Sequence, residues 1–406
     1  MALFSLLALF ACDQEPSQDG PVWYGEVEDV VVENCVGCHV SGGIGTFPLD
    51  SYDAAYVVRT QVQDAVIAGR MPPWLADPAC ADYQGDISLS EAQKALISDW
   101  VDAGAPEGDP GAASGLSAPE PATLEDPDVI LEMPSVYTPV VEPDEYRCFV
   151  LDWPETQDTY VVGYDVDPGN DAVVHHVIAY IAEPDTVSFY EDLDAADQDE
   201  GYSCYGGPGF VEGEDPRWLG GWAPGGPVSM FPEGTGIRVS AGSKIVLQMH
   251  YNLENSGPGA DQTRVLVATE TDVTHPSTIQ PWANPGWIDT DLMAIPANSS
   301  GVRHSFSYAL PVDLNIYSAS LHMHELGRSG IGRLDRADGS ETCLIDVPRW
   351  DFNWQRGYRF TEPQRLNAGD ALTVECTWDN PTDEDVYWGD GTGDEMCLGT
   401  FLISYP

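Results

Sequence analysis

Residues 173–181 read VVHHVIAYI, and two later stretches share their character: IVLQMHYN at 245–252 and SASLHMHELGR at 318–328. They are short alternating or β-branched runs, as in strands buried on at least one face. Similar short runs recur at 160–166, 263–268, 371–378 and 397–405. Gly, Pro, Asn and Asp clusters separate them, and no long helical stripe competes. From about residue 127 onward this is the pattern of antiparallel β-sandwiches. Some 280 residues are too many for one sandwich and comfortable for two. No internal repeat is evident.

The same three stretches carry the grouped histidines. His175 and His176 are adjacent, so on a regular strand their rings point to opposite faces; both reach one ion only where the strand ends or bulges. His250 stands alone in its strand. His322 and His324 are two apart, which puts both rings on one face. A lone buried histidine is more often a hydrogen-bonded core group than a ligand, and His275 and His304, which stand alone, read as ordinary surface or core histidines. An adjacent pair together with an H-x-H pair, all within apolar strands, points to metal. Imidazole suits zinc, copper, iron or nickel alike. A thioether narrows the choice to a soft ion such as Cu(I), and Met396, in GDEMCLGTF, is the candidate.

Ahead of the β region the character differs. Cys35-Val36-Gly37-Cys38-His39 spells C-x-x-C-H, in which two thiols can add to haem vinyl groups and the histidine can take an axial iron position. A zinc site would need a second ligand pair close by, and only Cys80 lies between the motif and residue 148. The spacing predicts helices over 23–34, over 53–69, and from Ser90, where Gln93 three residues on makes a capping box. Leu96, Ile97, Trp100 and Val101 form the apolar stripe of the third, which Gly104 and Pro106 end. Met71, in a loop stiffened by Pro72 and Pro73, is the candidate second axial ligand. The segment resembles the cytochrome c domains of bacterial exported oxidoreductases. Residues 107–129, rich in Pro, Gly, Ala and acid, read as a linker.

Composition sets outer limits. The chain has 406 residues, and its 67 acidic against 16 basic side chains give a net charge of −51, which excludes nucleic acid and anionic membrane surfaces as partners. With 43% hydrophobic residues it can bury real cores, which excludes wholesale disorder. The apolar run 2–11 is too short to span a bilayer and suits a signal-peptide core. Leu9-Phe10-Ala11-Cys12 resembles a bacterial lipobox, so residues 1–12 are expected to direct export, with Cys12 as the lipid anchor of a periplasmic or cell-surface lipoprotein. With Cys12 lipidated and Cys35 and Cys38 on haem, six of the nine cysteines remain. An even set implies disulfides, in any of 15 pairings.

The order of these motifs resembles the copper type II, ascorbate-dependent monooxygenases, the group that includes peptidylglycine α-hydroxylating and dopamine β-monooxygenases. The likeness covers about 130–406. It rests on the HH pair, on Trp222-Ala223-Pro224-Gly225, on Leu247-Gln248 before His250, on H-x-H followed by Leu326-Gly327, and on Asp394-Glu395-Met396-Cys397. The resemblance implies two jelly-roll-like sandwiches, 130–280 and 281–406; the cytochrome c-like domain read from the C-x-x-C-H motif, 21–106, precedes them. It implies one copper on His175, His176 and His250 for electron transfer, and a second on His322, His324 and Met396 where O2 and substrate meet. It also implies a Cys376–Cys397 disulfide; Cys148–Cys204 follows as the next pair and Cys80–Cys343 as the remainder.

The substrate contacts depart from the family. Ser320 stands where peptide-hydroxylating members have a carboxylate-binding arginine, and Leu398 and Thr400 stand where they have asparagine and tyrosine. A peptide carboxy-terminus is therefore not expected, and an apolar or neutral small molecule is. The expected activity is C–H hydroxylation with O2, using electrons from an ascorbate-like external donor or from the fused haem c. The alternative is a non-catalytic electron-transfer or copper-binding lipoprotein with the same ligands.

Overall fold

The computed structural model describes residues 20–41, 45–116, 124–209, 211, 216–222, 228–253, 257–288, 290–389, 391 and 393–406. Cys12 with its apolar leader and Ala223-Pro224-Gly225 lie outside the described residues. Two compact units emerge: residues up to Pro73 together with Ile87–Glu120, and Trp74–Asp86 together with Pro121–Pro406. Among the described residues no helix is long and apolar enough to cross a membrane.

The first unit is helical. Helices α1 (Glu28–Asn34), α2 (Tyr52–Ile67) and α3 (Glu91–Asp102) surround a core that includes Val27, Val31, Ile97 and Trp100. The expected helix over 23–34 is broken: Gly25 adopts φ 80°, so Trp23–Val27 forms a wide turn before α1 begins. The valines at 30–32 cost α1 propensity, which burial of Val30 and Val31 offsets. The capping box on α3 is present in both directions: Ser90 Oγ accepts from the Gln93 amide, and the Ser90 amide donates to Gln93 Oε1. Trp23 packs on Trp100 with ring centroids 5.4 Å apart.

The stretch expected to be a free linker starts as part of this unit. The amides of Trp23 and Tyr24 donate to the carbonyls of Pro106 and Glu107, and the Ser114 amide donates to Glu28 Oε2.

The second unit is built of β-strands, and its histidine-bearing strands follow the sequence closely: Val174–Ala182, Lys244–Asn252 and Leu314–His322. Lys244–Asn252 lies antiparallel between Val174–Ala182 and Asp144–Asp152. Leu314–His322 lies antiparallel between Leu398–Ser404 and Tyr358–Leu366. These two groups belong to one large sheet, joined through His275–Trp282. That strand pairs with Arg217–Trp222 and Thr235–Val239 on one side and with Leu398–Ser404 on the other. Position 280, expected to separate the two sandwiches, thus falls inside the strand that unites them. A second sheet of four strands, Ser299–Ala309, Ala371–Asn380, Gly327–Asp335 and Glu341–Val347, completes the C-terminal half. Helix α4 (Val187–Ala196), unforeseen in the sequence, packs by Tyr190 against a cluster containing Cys148, Tyr180 and Val246.

All three cysteine pairs are disulfides: Cys376–Cys397, Cys148–Cys204 and Cys80–Cys343. The last fixes a strap. Residues Trp74–Asp86, expected within the helical domain, belong instead to the β unit. There Tyr83 donates to the Leu344 carbonyl, the Gln84 amide donates to the Arg359 carbonyl, and Trp74 meets Tyr358 edge-on at 5.0 Å.

Replacing Ser90 by Ala removes an N-cap acceptor and is expected to lower the stability of the helical unit by about 1 kcal/mol, read by chemical denaturation followed by far-UV circular dichroism.

Candidate metal centres

The strand Val174–Ala182 shifts register against Lys244–Asn252 between Val174 and His176. That irregularity is the bulge the adjacent histidines require, because it turns both rings to one side. His176 then stands directly opposite His250. The Nδ1 of His250 lies 3.3 Å from that of His175 and 3.4 Å from that of His176, and a ligand atom of each of the three falls within 4.8 Å of the others. Two imidazole nitrogens bound to one ion at about 2.0–2.1 Å sit at this spacing, so the donor set fits a shared metal.

Neighbours aim these rings. His250 Nε2 donates to Asp144 Oδ1 at 3.0 Å, which leaves Nδ1 with its lone pair toward the cluster. Tyr146 stacks on the His250 ring at 4.3 Å and 7°. Burial holds His175 down to about 4 and pushes His176 well below the ordinary range. Both are therefore neutral, the form that binds metal.

The second group forms at the end of Leu314–His322. The rings of His322 and His324 are 5.0 Å apart. His324 Nδ1 donates to the Asp394 carbonyl, and His322 Nδ1 donates to Gln355 Oε1, so both Nε2 atoms are left for a ligand. Burial holds His322 at about 3 and lowers His324. Glu395, fully buried, accepts from the amides of His324 and Leu326 and from the Trp378 indole, and so pins the loop that carries His324. Met396, the next residue, lines the same cavity as His322 and His324.

That cavity, about 550 Å³, is also lined by His176 and His250. Phe352 stands between the groups, 5.7 Å from His175 and 6.1 Å from His324. Ser320 and Thr400, at the positions of the family's substrate contacts, hydrogen-bond to each other on the cavity wall. His304 donates to the Ala294 carbonyl and packs against Trp287 and Trp378, as a core histidine does.

In the helical unit, the C-x-x-C-H motif follows α1. Cys35 and Cys38 are not disulfide-bonded, and burial with the neighbouring Cys38 pushes the Cys35 thiol up to about 12. His39 Nδ1 donates to the Phe47 carbonyl at 2.9 Å, leaving Nε2 as the free donor atom. A side chain at Gly45 would come within 2.6 Å of that Nδ1. These features fit a covalent haem with His39 as an axial ligand. Met71 follows the end of α2, where its amide donates to the Ala65 carbonyl.

Sequence reasoning missed Asp144, Tyr146, Phe352 and Gln355. Asp144 stands 106 residues from the histidine it orients and Gln355 stands 33 residues from its own; neither has a motif of its own.

Residues 129–257 match the N-terminal domain, and 286–406 the C-terminal domain, of the copper type II ascorbate-dependent monooxygenases. Among individual proteins, the chain is 26% identical over 292 residues to DBH-like monooxygenase protein 2 of Mus musculus, covering 64% of this chain and 43% of that one. It is 26% identical over 323 residues to the putative DBH-like monooxygenase protein 2 of Homo sapiens, covering 72% and 58%. It is 23% identical over 292 residues to the human DBH-like monooxygenase protein 1, covering 64% and 44%. The chain thus spans about half the length of these relatives.

Two outcomes follow. Asp144→Ala should weaken copper binding at the three-histidine cluster about 10–100-fold in a competitive chelator titration. The metal-free protein should also lose stability on acidification. Unfolded histidines take up protons below about pH 6.5, whereas folded His175 stays neutral to about 4 and His322 to about 3. The unfolded state therefore binds more protons across that window, and the melting temperature should fall as pH drops from about 6.5 toward 4.

Proposed function

We propose, from the premise that this chain belongs to the copper type II ascorbate-dependent monooxygenase family, that it hydroxylates a C–H bond of a small organic substrate with O2. The observation that carries the reading is the meeting of His175, His176 and His250 at a strand bulge, with His176 and His250 lining one cavity with His322, His324 and Met396. His175, His176 and His250 would hold one copper and His322, His324 and Met396 the other. Copper supplies one-electron redox chemistry and O2 binding, and the thioether of Met396 favours Cu(I). The overall change balances as R–H + O2 + 2 e⁻ + 2 H⁺ → R–OH + H2O, with both electrons drawn from an ascorbate-like reductant.

The protein's own groups do the rest. Asp144, Gln355 and the Asp394 carbonyl fix the three imidazoles they touch and set their tautomers. Glu395, next to Met396, ties that segment to the loop carrying His324 by accepting the amides of His324 and Leu326. Phe231, Trp222 and Leu402 give the cavity apolar walls that limit water around the reacting carbon.

Haem c on Cys35 and Cys38, with His39 and Met71 as axial ligands, would add an internal electron store that supplements the reductant. The absence of a disulfide at Cys35 and Cys38 and the His39–Phe47 hydrogen bond support this. Three disulfides and the family suggest an extracytoplasmic protein. Cys12 would be its lipid anchor.

Purified protein should contain two coppers and one haem per chain by metal analysis and pyridine haemochrome spectroscopy. Met396→Ala should lower reductant-dependent hydroxylation about 100-fold or more while the haem spectrum and the copper on the three histidines persist. Full copper loading with no O2 consumption, across reductants and a substrate library, would overturn the oxygenase reading in favour of a copper or electron carrier.

A further inference from the structure

The cavity floor is a sheet face whose register is fixed. Along Leu314–His322, residues Ser318, Ser320 and His322 alternate with buried Ala319 and Leu321, so all three face the cavity. Across the neighbouring strands Leu402, Thr400 and Leu398 stand opposite them in turn, and Ile279 and Pro281 extend the floor. On the other side Arg359 stands opposite Ser318. Its neighbours Tyr358 and Phe360 are buried on the reverse face, against Trp74 and Tyr83 of the strap, so Arg359 is on the cavity face.

The electrostatics of that end are unbalanced. Arg359 lines the cavity, and among the described residues it has no carboxylate partner. Burial alone acts on its guanidinium, drawing it below the ordinary arginine range. In a chain with 67 acidic residues against 16 basic ones, an unneutralised, half-buried arginine is unexpected for solubility or packing. Arg356 adds a second cation to the wall, its guanidinium over the Trp74 ring at 4.8 Å. A carboxylate complements a guanidinium in both charge and geometry.

We propose that Arg359, supported by Arg356, forms an anion subsite that holds a carboxylate at one end of the substrate, while the carbon to be hydroxylated lies at the His322/His324/Met396 end. The inference deepens the monooxygenase reading and rests on it for the reacting end only. It revises the expectation of a neutral substrate: the arginine absent at position 320 is replaced by cations from another strand. His322 lies four positions along the strand from Ser318, so the two ends lie roughly 13 Å apart. Between them the floor is Leu398, Leu402, Ile279 and the Ser320–Thr400 hydroxyl pair. The substrate class is therefore an elongated amphipathic carboxylic acid with an apolar body.

The test uses full-length, copper-loaded protein and a series of ω-phenylalkanoates of increasing chain length, each with its primary amide and its amine. Binding is read by intrinsic tryptophan fluorescence, and turnover by reductant-dependent O2 consumption. The acids should bind in preference to amides and amines, with an optimum among the longer chains. Arg359→Gln should raise Kd and KM for the acids ~30-fold or more, with little change in kcat or in amide binding, and Arg359→Lys should restore part of the loss. Unchanged copper content and circular dichroism show that the variants are folded. Equal binding of acid and amide by the native protein, or acid binding unaffected by Arg359→Gln, overturns the subsite even if O2 consumption is normal. Arg359-dependent binding of acids with no O2 consumption leaves the subsite standing and overturns the oxygenase reading.

Discussion

The strand His275–Trp282 is hydrogen-bonded on one side to the N-terminal strands and on the other to Leu398–Ser404. Everything at the candidate centres depends on that continuity. Backbone ladders tolerate little displacement, since sliding by one residue reverses every side chain. A shared strand therefore fixes the histidines of the first half relative to those of the second far more tightly than a flexible junction could. His176 and His250 line one wall of the cavity and His322, His324 and Met396 another because a single sheet carries both.

The sequence made the ligand strands legible and left their supports hidden. The runs around His175, His250 and His322 are apolar enough to declare themselves as strands, and the demand for a bulge at His175-His176 follows from side-chain alternation alone. Strands such as Ser299–Ala309 were not foreseen because they face solvent on one side and are rich in serine and other polar residues. Arg217–Trp222 was obscured by its paired glycines. Asp144 and Gln355 act across long sequence separations, and a hydrogen bond of that kind leaves no periodic trace. The strap was misread for a related reason: Trp74–Asp86 sits between two helices in sequence, and only the Cys80–Cys343 bond and the aromatic contacts with Tyr358 and Phe360 assign it to the β unit.

The cavity combines two opposing demands. The imidazoles must be dry enough to stay neutral, and burial achieves this for His175, His176 and His322. The same dryness makes an isolated cation such as Arg359 costly. Arg359 is only half-buried, so solvent screens its charge in part, and the proposed substrate carboxylate would complete its pairing.

The Cys80–Cys343 bond closes a covalent ring across 263 positions of the chain, and five of the six proposed copper ligands lie within it. One severed peptide bond anywhere in that ring turns a loop into two arms still joined at sulfur. Such a nicked molecule keeps its mass and its sheet pairings together, and separates into fragments only after the disulfide is reduced.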